Sequence, residues 1–128
     1  MVAISRIFLL FSFSLILVGC STIQPDSRDR IGFTEFGQAS YYSDIHQNNQ
    51  TANGDVYQHN FKTAAHKTLP FGANVKVTNI ANGKSVIVNI NDRGPFVKGR
   101  IIDLSKSAFS SISNISAGVI EVKIEVVR

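Results

Sequence analysis

The feature that most restricts the fold of this chain is a strict two-residue alternation in three separate stretches. Ile120, Val122, Ile124 and Val126 are separated by Glu121, Lys123 and Glu125. Val75 and Val77 flank Lys76, and Val86, Val88 and Ile90 flank Ile87 and Asn89. Successive side chains of an extended chain point to opposite faces, so each stretch reads as a strand with one buried face. Asn82-Gly83, between the first two of these strands in the chain, is a hairpin signal. Residues 36–42 and 100–104 are further strand candidates, and 105–112 reads as one short helix capped by Asp103 or Ser105. Five or six short strands and one helix in about 94 residues point to a small β-barrel, because closure removes the edges that a small open sheet exposes.

Composition narrows the class. At 128 residues the chain has room for one compact domain. Its single cysteine excludes an internal disulfide framework, a cysteine-rich zinc site and a CxxC redox pair. That cysteine has a telling position. Residues 1–19 hold one charge, Arg6, and 14 apolar residues, and the 12-residue run 7–18 is too short to span a bilayer. This is a secretory signal pattern. Its end, Leu17-Val18-Gly19-Cys20, resembles the bacterial lipobox, which implies cleavage before Cys20 and lipidation of its thiol. Two acyl chains anchor stably where one does not. Ser21 stands where an inner-membrane retention signal would be Asp, so the outer membrane, facing the periplasm, is the expected site. Residues 20–34 are polar and read as a tether, leaving 35–128 as the folded domain. Loss of Arg6 lowers the net charge from +4 to +3. That mild value, the absence of Trp and a count of only 3 Tyr argue against a nucleic-acid partner.

Three polar clusters are not explained by the alternation: TANGD at 51–55, TAAHKTLPFG at 63–72, and NDRGPF at 91–96 followed by GRIIDLS at 99–105. Each is expected at a strand end or turn, where a barrel presents its functional groups. With GQASYY at 37–42 and VTN at 77–79, these blocks closely resemble the rare lipoprotein A family, the septal-ring lytic transglycosylases. The resemblance runs from about residue 37 to the end. It implies a mainly β fold, a six-stranded double-psi β-barrel with one or two short helices. It also implies action on peptidoglycan glycan strands, expected to be poor in stem peptides, by a monomer without metal or cofactor. The chain departs from the family pattern at Asp55, usually Glu, and at Gln47, where His46 is often followed by Gly. Longer members carry a separate SPOR domain, and in this chain the barrel is expected to fill the sequence to its end.

Lytic cleavage of the bond from N-acetylmuramic acid to N-acetylglucosamine needs a proton for the leaving oxygen and stabilisation of positive charge at the anomeric carbon. The muramic 6-hydroxyl then attacks in place of water and leaves a 1,6-anhydro end. Asp92 is the candidate acid: it follows an apolar strand, and the resemblance places a functional Asp there. The competing reading is a carboxylate that caps the turn or pairs with Arg93. His66 matches a functional His and could hydrogen-bond Asp92 or relay a proton, or be a histidine satisfied inside the barrel. Asp55 matches the family's Glu, or is a plain turn carboxylate. Tyr42, with Tyr41, could stack on sugar rings, and Asn91 and Arg93 could bind hydroxyl, N-acetyl or lactyl groups. Asp103 with Ser105 reads as a helix cap, and His46 and His59 as solvated. The alternative function is a non-catalytic wall-binding or expansin-like loosening module.

Overall fold

A computed structural model describes Gly19 and residues 26–128. Residues 1–18 of the expected signal segment, Cys20 and residues 21–25 of the expected tether lie outside the described residues. Among the described residues, six strands form a closed barrel: β1 (Thr34–Tyr41), β2 (Thr63–His66), β3 (Asn74–Asn79), β4 (Ser85–Asp92), β5 (Arg100–Leu104) and β6 (Ile120–Val127). The order around the barrel is β1-β5-β2-β4-β3-β6. β1 pairs with β5 in parallel and β2 with β4 in parallel, and every other neighbouring pair is antiparallel. Each parallel pair carries one register shift, between Gln38 and Ala39 and between Ala64 and Ala65. The two parallel pairs interlock through the β5–β2 contact, which is the double-psi arrangement and the expected mainly β class.

The alternating residues fill the interior. Val75, Val77, Val88, Ile90, Val122, Ile124 and Val126 are all buried, together with Ile102 and Leu104 of β5. A short helix, α1 (Lys106–Ile112), adds Ala108, Phe109 and Ile112 to the same core. Its cap is Ser105, whose hydroxyl accepts from the Ala108 N–H at 3.3 Å; Asp103 does not take this role. Gly37 is required by close approach: a β-carbon there would lie 2.7 Å from Ile101 Cγ2.

Two expectations are corrected. Residues 63–66 are not part of a turn cluster but form β2, with Ala64, Ala65 and His66 buried. Alternation is invisible in a strand whose inner and outer positions are both covered. Asn91 and Asp92 are the last residues of β4 rather than a turn beyond it. A 3-10 turn at Ser27–Arg30 precedes β1, and the Gly32 N–H bonds the Val126 carbonyl at 2.9 Å, fastening the entry of the chain to the last strand.

Candidate active site

β4 delivers Asp92 to the end of the barrel, where three donors converge on its carboxylate. The Ala52 and Arg93 N–H groups reach Oδ1 at 2.8 and 2.9 Å, and the Tyr42 hydroxyl reaches Oδ2 at 2.6 Å. An ionised carboxylate satisfies all three donors at once. Tyr42 is fixed in turn: its ring lies 4.4 Å from that of Tyr57 and edge-on to His46 at 5.4 Å. Burial, then the hydrogen bond to Asp92, then the charges of Asp92 and Asp103 push the Tyr42 phenol far above the usual range. It therefore remains a donor. The Asp92 side chain thus also fastens the 51–55 turn, but it does not pair with the Arg93 guanidinium, which points elsewhere.

The TANGD segment folds into a tight turn on this strand end. Thr51 N–H donates to the Asp55 carbonyl at 2.8 Å, and Asn53 Oδ1 accepts from the Asp55 N–H at 3.0 Å. The Asn53 N–H then bonds the Asn91 carbonyl at 3.2 Å, while the buried Asn91 amide donates to Asp55 Oδ2 at 3.3 Å. Asp55 is exposed and contacts Asn91 rather than Asp92. Asn91 Oδ1 is buried with no hydrogen-bond partner among the described residues. Asn91 is thus a strut between the turn and the strand, and it keeps the Ala52 N–H aimed at Asp92.

His66 is held apart from Asp92. Its Nδ1 accepts from the N–H groups of Thr68 and Leu69, both at 3.1 Å, and its Nε2 lies 3.2 Å from Glu35 Oε1. Two backbone donors require an unprotonated Nδ1, which puts the proton on Nε2, facing Glu35. Burial lowers the pKa of His66; Glu35 opposes this, and the cations of Arg93 and Arg30 add to it. The expected hydrogen bond from His66 to Asp92 is absent because both ring nitrogens are already engaged. The link between the two runs through Arg93. Its guanidinium sits 3.9 Å over the Phe71 ring and donates to the carbonyls of Leu69 at 2.8 Å and His66 at 3.3 Å. Arg93 therefore clasps the histidine turn while its own N–H holds Asp92.

Asp92 opens onto a groove of about 360 Å³, lined among others by Tyr42, His46, Phe96, Arg100 and Asp103. Asp103 is the residue that sequence reasoning assigned elsewhere. It faces Ser40 across the β1–β5 pair, accepts from the Ser40 hydroxyl, and bonds Arg100 at 2.9 Å; Arg100 also donates to Ser40. Both Asp103 contacts fall on Oδ1. The available signal was a carboxylate set inside an apolar strand, Ile101-Ile102-Asp103-Leu104. His46 lines the groove, as an exposed residue. His59, expected to be solvated, instead bridges Tyr57 at 2.7 Å and Asp44 at 2.9 Å and ties the groove's outer loop to α1 through Lys106. Two carboxylates in one open groove, one anchored and one with an unengaged oxygen, are suited to acid–base work on a glycosidic bond.

Comparison with known proteins shows what the chain is similar to. Over 113 residues the chain is 46% identical to an endolytic peptidoglycan transglycosylase RlpA of Pasteurella multocida, covering 88% of this chain and 38% of that protein. The chain spans less than half the length of the curated relatives it matches. Among solved structures, a Streptomyces papain inhibitor superposes with a TM-score of 0.64 at 24% identity, over 77% of this chain and 97% of that one. A Clavibacter michiganensis expansin mutant in complex with cellohexaose superposes with a TM-score of 0.57 at 24% identity, over 74% of this chain and 50% of that one. These two share the fold. The family pattern described as lytic transglycolase matches residues 34–124, which span the barrel almost from its first strand to its last, and the chain belongs to that family.

Proposed function

We propose that this protein is a lytic transglycosylase that cleaves the bond from N-acetylmuramic acid to N-acetylglucosamine in peptidoglycan strands and leaves a 1,6-anhydro end. The observation that carries this reading is the anchored Asp92 carboxylate sharing an open groove with Asp103. In this scheme one groove carboxyl carries a proton and the other is ionised. The proton passes to the departing O4 oxygen of N-acetylglucosamine as the bond to the muramic anomeric carbon breaks. The muramic 6-hydroxyl oxygen closes onto that carbon, and its proton returns to the carboxylate. Negative charge in the groove stabilises the oxocarbenium-like centre meanwhile. Asp55 acts through Asn91, and His66 through its turn and Arg93, to hold Asp92 in place. The fold is shared with an expansin that holds cellohexaose, and the relatives are named for cleavage of peptidoglycan. Both support a cell-envelope glycan as substrate. Lipidation at Cys20 and residence at the outer membrane complete the proposal, supported by the lipobox-like Leu17-Val18-Gly19-Cys20.

The test is digestion of purified peptidoglycan, intact and stripped of stem peptides, by the full chain and by Asp92→Asn. Mass spectrometry should find anhydro-ended sugars from the wild type, and at least about a hundredfold less from Asp92→Asn. Glycan that is bound but never cut by wild type would replace the enzyme with a wall-binding module.

A further inference from the structure

Tyr41, Tyr42 and Phe96 all line the groove, and of these three rings only that of Phe96 is left open. The Tyr41 ring lies 4.8 Å from that of Phe109, and its hydroxyl bonds the Ile115 carbonyl at 3.2 Å. Tyr42 is packed on Tyr57 and spends its hydroxyl on Asp92. The two tyrosines expected to stack on sugar are thus committed to the barrel. Phe96 is 81% exposed, and the Val97 beside it is 53% exposed. Its ring edge lies over Gly94: a β-carbon built on that glycine, which has a φ of +123°, would be 3.7 Å from Phe96 Cε2. The ring therefore lies close to Gly94, a few residues beyond Asp92, with its surface largely open.

We propose that Phe96 is the stacking platform for a pyranose ring of the glycan, seated beside the sugar whose linkage lies against Asp92 and Asp103. This rests on the reading of the groove as a glycan site. A pyranose presents an apolar face of C–H bonds and a polar rim of hydroxyls. The groove lining offers both kinds of partner, the aromatic ring of Phe96 and the polar groups of Asp92, Asp103 and Arg100. Exposure of a large apolar ring to water is unfavourable, and a sugar face covers it without demanding a hydrogen bond that phenylalanine cannot make. The same contact would limit sliding of the strand and set which linkage lies against the carboxylates.

The chain contains no tryptophan, so Phe96→Trp introduces a single indole reporter. Its emission should shift to the blue and saturate as chitotetraose or glycan strands are added. Phe96→Ala and Phe96→Leu should both raise KM on glycan strands, and the dissociation constant for chitotetraose, by about tenfold. Leu keeps the apolar volume without the ring, and unchanged melting temperatures would show that both variants fold. Phe96→Leu binding as tightly as wild type, or a Phe96→Trp variant whose emission responds to phosphatidylglycerol vesicles and not to sugar, would overturn the platform. Should wild type bind sugar without cutting it, the enzyme reading fails, while the affinity comparison still decides the role of Phe96.

Discussion

Tyr42→Phe isolates the hydrogen bond that locks Asp92. The substitution removes one oxygen and leaves the ring between Tyr57 and His46, at 4.4 and 5.4 Å. What is lost is a 2.6 Å bond from a neutral phenol to a charged carboxylate. Such bonds contribute about 1.5–3 kcal/mol. Asp92 is only half-buried and opens onto the groove, so water can partly replace the phenol, and the lower figure, about 1.5 kcal/mol, applies. For a barrel of this size that corresponds to a fall in melting temperature of roughly 6–12 °C. The two N–H bonds to Oδ1 remain, but the carboxylate can now rotate about them, and kcat should fall about tenfold. Tyr41→Phe is the control. Its hydroxyl makes a longer, neutral bond to the Ile115 carbonyl at 3.2 Å, so about 0.5–1 kcal/mol should be lost, with no effect on kcat. Thermal unfolding by circular dichroism and a single-turnover glycan digest measure both quantities. A Tyr42→Phe variant that melts within about a degree of wild type and cuts within about twofold would refute the argument that this hydroxyl holds Asp92.

The acid sensitivity of the fold should trace to His66. Its folded pKa lies below the ordinary value of 6.5, so on acidification the unfolded chain takes a proton that the folded chain refuses. Stability then drops below pH 6.5, by up to about 1.4 kcal/mol per pH unit. Urea midpoints that fall in parallel for wild type and His66→Gln would contradict this. Asp55→Ala should cost about 1–2 kcal/mol by leaving the buried Asn91 amide without its acceptor, and Asp55→Glu should restore most of it. Equal melting temperatures for all three forms would remove the strut role of Asn91.

The long strands were legible because each has one face on the core and one toward solvent, so Val75, Val77, Val122 and Ile124 betray themselves by period. β2 was not, because Thr63-Ala64-Ala65-His66 is short and its last three residues are all buried. Sequence blocks located the groove, since NDRGPF and TANGD do meet at the end of β4. They could not say how the side chains divide the work. Whether Arg93 reaches a substrate or clasps Leu69, and whether His66 faces Asp92 or Glu35, depends on where loops return after crossing the barrel. Asp103 was misassigned because Ser105, two residues on, competes for the cap. Only the parallel β1–β5 pairing, which no local pattern encodes, sets Ser40 beside it.

The bonds that draw the groove together from separate strands and turns span long stretches of sequence: 50 residues for Tyr42 to Asp92, 40 for Ala52 to Asp92, and 63 for Ser40 to Asp103. Pairings of this span are slow to form and offer no partial reward, since loop closure must come before any contact. No short fragment of the barrel holds both groove carboxylates and their distant donors. If the chain cuts glycan as proposed, that activity should arrive with closure of the barrel and vanish with its opening. On the proposed function a nascent or partly unfolded chain should leave a wall uncut, and the regain of activity after dilution from denaturant should keep time with the slowest phase of folding.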